Sequence, residues 1–106
     1  MLRLNDIVEK VTSYLPQADV ELIKKAYVYS AKVHAGQLRS SGEPYLSHPL
    51  EVAGIIADMK LDVPSVVTGL LHDTVEDTLT TLEDIESMFG KEIAFLVDGV
   101  TKISQL

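Results

Sequence analysis

The stretch "VVTGLLHDTVED", residues 66–77, decides how the rest of the chain is read. Together with Val63, the residues Val66, Val67, Leu70 and Leu71 recur at the spacing of one apolar helix face. His72, Asp73, Glu76 and Asp77 follow at once, crowding an imidazole and three carboxylates into the sequence "HDTVED". If the helix continues, His72 stacks over Glu76 and Asp73 over Asp77 in two adjacent columns, spanning roughly 140° at ~100° per residue. Carboxylates placed there face the negative end of the helix dipole, at a cost of roughly 0.3 kcal/mol or more per charge unless something compensates. A basic side chain or a metal ion would compensate; a solvated acidic helix end is the plainer alternative. The adjacent His-Asp pair offers nitrogen and oxygen donors suited to Mn, Fe, Zn or Mg.

Working outward, the other segments share the helical period and none alternates as a strand does. Leu4, Ile7, Val8 and Val11 predict a first helix that stops near Pro16. Asp19 is placed to cap a second, with the stripe Leu22, Ile23, Ala26, Tyr27, Ser30 and Val33. A third opens at "HPLE" with Pro49 in its first position, and Asp62 caps the fourth. Thr81, with Asp84 three residues on and Gly90 as a stop, brackets a short fifth helix. The sixth starts near Glu92 and carries Ile93, Leu96, Val97, Val100 and Ile103. The expectation is an all-α bundle of about five or six helices.

The 106 residues allow one domain, and 46% apolar against 24% charged is a globular balance. The absence of cysteine excludes disulfides and thiolate metal sites and fits a cytoplasmic setting. No apolar run is long enough to span a membrane. A net charge of −7 argues against nucleic acid as the partner, because no basic stripe is present. A small anionic substrate stays compatible, since a bound cation inverts the local field.

A second histidine is needed to complete a metal site, and His48 at the mouth of the third helix is the candidate. It lies too far from His72 for a local metal motif and reads equally as an ordinary helix-start residue. His34, near a helix C-terminus, suits a structural imidazole bonded to free carbonyls. Arg39 lies in the loop "GQLRSSGEPYLS", either solvated or available to stack on a purine.

Taken together, "HAGQLRSSGEPYLSHPLEVA", "GLLHDTVEDT" and "FGKEIAFLVDGVTKIS" resemble the hydrolase domain of the bifunctional Rel/Spo enzymes, which make and degrade ppGpp and pppGpp. That domain belongs to the all-helical, metal-dependent HD phosphohydrolases. The resemblance implies that His48, His72 and Asp73 are ligands of a divalent ion, usually Mn²⁺. It implies that Glu76 and Asp77 promote attack of water on the 3′-pyrophosphate, and that Arg39 packs on guanine with Ser41 in the same nucleotide-contacting loop. Ser40 stands where many relatives carry a basic residue. The substrate implied is guanosine tetra- or pentaphosphate, in the stringent response. The family's fourth ligand, an aspartate on a later helix, has no counterpart before Leu106. Residues 1–106 are therefore expected to be the N-terminal portion of such a domain, truncated at its C-terminus. Such a fragment would bind metal weakly, hydrolyse little and self-associate. The rival readings are an HD phosphohydrolase of another nucleotide and a non-catalytic, nucleotide-binding or self-assembling helical module.

Overall fold

The fourth helix is the axis of the structure, because nothing on it faces water after its first turn. In the computed structural model, which describes residues 2–38, 42 and 45–104, Val66 through Leu71 are all buried. A helix that is apolar around its whole circumference must be enclosed by others. The elements are α1 (Leu4–Tyr14), α2 (Val20–Val33), α3 (Ser47–Asp58), α4 (Val63–Leu71), α5 (Thr74–Asp77), α6 (Leu82–Phe89) and α7 (Lys91–Ser104). Helices α2, α3 and α7 pack directly on α4; α1 covers α3 and α2, and α6 lies on α7. The described residues thus form an all-α bundle of six helices of eight residues or more plus the single turn α5.

Local signals account for most boundaries. The Asp19 and Asp62 side chains accept from the amides of Leu22 and Ser65. Thr81 and Asp84 form a reciprocal capping box, and Gly90 ends α6 at φ 95°. Helix α3 begins two residues earlier than expected, at Ser47. Pro49 is accommodated in its first turn because amides there have no intrahelical partner to lose.

The turn between α3 and α4 sets how the two helices pair. Lys60 takes φ 58°, its amide donating to Ala57 O (2.9 Å) while that of Leu61 donates to Ile56 O (3.3 Å). This is a Schellman stop, here with lysine in the place usually held by glycine. Helix α1 braces the turn: Tyr14 donates its hydroxyl to Leu61 O (2.7 Å) and Lys10 pairs with Asp58 (2.6 Å). The short connection makes α3 and α4 antiparallel neighbours. Gly69 lets them approach closely, since a Cβ there would lie 3.3 Å from Ala53 Cα and 2.8 Å from Ile56 Cδ1. The first turn of α3 consequently lies beside the last turn of α4.

Candidate metal centre

This antiparallel pairing brings His48, from the start of α3, onto His72 and Asp73, which follow α4. The His72 Nδ1–H donates to Gly69 O at 2.7 Å, so in the neutral ring it is Nε2 that carries the lone pair. That nitrogen lies 3.3 Å from His48 Nε2 and 3.1 Å from Asp73 Oδ1. The other carboxylate oxygen, Asp73 Oδ2, lies 3.4 Å from His48 Nε2. One donor atom from each residue falls within a mutual separation of 4.8 Å. His72 and Asp73 are mostly enclosed, with side-chain exposures of 14% and 15%, whereas His48 at 33% opens to solvent.

This donor set fits a divalent cation. Burial disfavours a charged His72, yet the hydrogen bonds to Asp73 and Gly69 and the charges of Asp73 and Glu76 hold its pKa above the ordinary histidine value. Burial likewise opposes the Asp73 carboxylate, but His72, the Tyr45 hydroxyl and His48 outweigh it and hold its pKa below the usual range. The cluster therefore favours added positive charge, which a proton or a metal ion can supply.

Helix α4 does not run through the acidic stretch. It ends at Leu71, His72 and Asp73 form a turn, and α5 follows. The Thr74 hydroxyl donates to Leu71 O at 2.8 Å, competing with the backbone ladder. This corrects the expectation of two continuous columns. Asp73 precedes α5 without capping it, which leaves its side chain to the histidines. Glu76 and Asp77 are both exposed, and Asp77 Oδ2 accepts from the Tyr45 hydroxyl, which also lies 3.2 Å from Asp73 Oδ2.

Residues 26–106 match the protein family described as HD domain. The chain belongs to the HD domain family. This HD domain is 67% identical over 95 residues to a GTP pyrophosphokinase of Myxococcus xanthus, covering 90% of the chain and 12% of that protein. It is 49% identical over its whole length to the GTP pyrophosphokinase rsh of Brucella ovis, covering 14% of that relative. It is 46% identical over 103 residues to the bifunctional (p)ppGpp synthase/hydrolase SpoT of Escherichia coli K12, covering 97% of the chain and 14% of SpoT. Among solved structures, it superposes with a TM-score of 0.70 and 33% identity on a metazoan ortholog of SpoT that hydrolyses ppGpp. That match covers 78% of the chain and 49% of the solved one. The Rel/Spo resemblance drawn from the three sequence blocks is thereby met, and the chain spans about one eighth of the curated relatives' length.

Of the residues singled out from sequence, His48, His72 and Asp73 converge, and Asp77 joins them through Tyr45. Glu76 stands close enough to act on His72 electrostatically. Arg39 and Ser41 lie outside the described residues. His34 is buried, but its Nδ1 pairs with the Gln37 side chain at 3.2 Å rather than with a helix carbonyl, and its Nε2 has no hydrogen-bond partner among the described residues. Sequence reasoning missed Tyr45, whose ring stacks on His34 with centroids 4.5 Å apart and planes at 20°. Its one signal was an aromatic hydroxyl one turn ahead of His48.

Proposed function

We propose that this HD domain removes the 3′-pyrophosphate of (p)ppGpp in a metal-dependent hydrolysis. The observation that carries the proposal is the meeting of His48, His72 and Asp73 beside Asp77. In this reading the three residues hold Mn²⁺, with His72 presenting Nε2 because Nδ1 is committed to Gly69 O. The ion, when bound, supplies Lewis acidity toward a phosphoryl oxygen and water. Asp77 and Glu76 orient the attacking water and accept its proton. Attack at phosphorus breaks the bond to the 3′-oxygen, releasing pyrophosphate and leaving a 3′-hydroxyl. Arg39, with Ser41 beside it, contacts the guanine.

We place the chain in the cytoplasm as part of a longer enzyme of the Rel/Spo type, with guanosine tetra- and pentaphosphate as substrates and no role for nucleic acid. None of the helices among the described residues is long and apolar enough to cross a membrane. Exposed apolar side chains, Phe95 and Ile103 on α7 among them, support self-association of the 106-residue chain.

Incubation of the full-length protein with ppGpp and Mn²⁺ tests the activity, with products resolved by chromatography. Release of pyrophosphate and GDP is expected, and chelation should stop it. Stoichiometric Mn²⁺ binding with intact ppGpp after prolonged incubation would exclude this substrate.

A further inference from the structure

We propose that Tyr45 is the positioning residue that fixes Asp77 relative to Asp73 and so couples proton transfer to the metal site; this rests on the pyrophosphohydrolase reading above. Tyr45 touches three parts of the site at once. Its hydroxyl donates to Asp77 Oδ2 and lies 3.2 Å from Asp73 Oδ2, while its carbonyl accepts the His48 amide at 3.2 Å. Two carboxylates sharing one region repel each other unless a donor stands between them. Asp77 is exposed, so without that donor its side chain is free to turn toward solvent.

The ring is held as a positioning device requires. It stacks on buried His34, which Gln37 engages through Nδ1 at 3.2 Å. Gln37 closes the circuit twice: its carbonyl accepts the Tyr45 amide at 3.2 Å, and its Nε2 donates to Asp77 O at 3.3 Å. The segment after α2 and the turn α5 are therefore tied at both backbone and side-chain level. Outer partners of this kind orient the groups that do the chemistry.

Tyr45→Phe keeps the ring and its stack and removes only the hydroxyl. In the full-length Mn²⁺-loaded protein, at saturating Mn²⁺, kcat for ppGpp should fall about 10–100-fold while KM changes little. Because the effect passes through Asp77, adding Tyr45→Phe to Asp77→Asn should cost about twofold or less beyond Asp77→Asn alone. An unchanged kcat, or the same loss in both backgrounds, would overturn the assignment. If the parent protein does not hydrolyse ppGpp, the functional reading fails separately. Tyr45 is then judged by the carboxyl ¹³C resonance of Asp77 in the metal-free protein: Tyr45→Phe should move it, and an unmoved signal rules the coupling out.

Discussion

Asp73 carries more of the site than any other residue, because each of its oxygens faces a different histidine. Asp73→Asn should abolish Mn²⁺ binding and hydrolysis together, since it removes charge and a donor at once. If Asp77 takes the proton of the attacking water as proposed, Asp77→Asn should lower turnover by about 100-fold while leaving metal affinity within a few-fold. Isothermal titration with Mn²⁺ beside the ppGpp assay separates the two, and equal loss of metal in both variants would contradict this division of labour. At this scale the paired donors were legible in the sequence because "HD" places an imidazole and a carboxylate side by side. His48 was not, on spacing alone, since its approach depends on how two helices pack; the family resemblance supplied it. Tyr45 stayed hidden because its contacts come from a loop, whose geometry no periodicity encodes.

At the scale of elements, the capping residues and apolar stripes set the helices where they were expected, as Asp19, Asp62, Thr81 and Gly90 illustrate. The break after Leu71 was not visible, because Thr74 competes for a carbonyl within a sequence of good helical period. Gly69 and Lys60 are the positions where the hairpin of α3 and α4 is most exposed to test. Gly69→Ala gains about 1 kcal/mol of helix propensity but inserts a methyl against the backbone of α3, a strain of roughly 1–3 kcal/mol. A lowered urea midpoint is expected, with a disproportionate loss of Mn²⁺ affinity as His48 is pushed from His72. Lys60→Gly relieves a left-handed residue and should stabilise by about 0.5–1 kcal/mol without touching metal binding. Thermal melts of the two variants should therefore shift in opposite directions.

On the scale of the whole molecule, the buried set is concentrated around α4, while Leu79, Phe95 and Ile103 are 99%, 77% and 70% exposed. Phe95 and Ile103 stand about two turns apart on α7, and apolar groups that form one exposed patch favour association. Sedimentation equilibrium of the 106-residue chain should show concentration-dependent self-association, and Phe95→Asp should weaken it; an unaltered mass distribution would remove α7 from the contact. The enclosure of α4 has a kinetic corollary. A helix with no solvent-facing side cannot open by fraying, so the amides of Val67 to Leu71 should exchange with deuterium only when the domain unfolds as a unit. The two imidazoles sit at the ends of elements locked to that slow core. Mn²⁺ should then slow exchange across the whole bundle by the factor 1 + [Mn²⁺]/Kd, and the domain's slowest amides would gauge how tightly the ion is held.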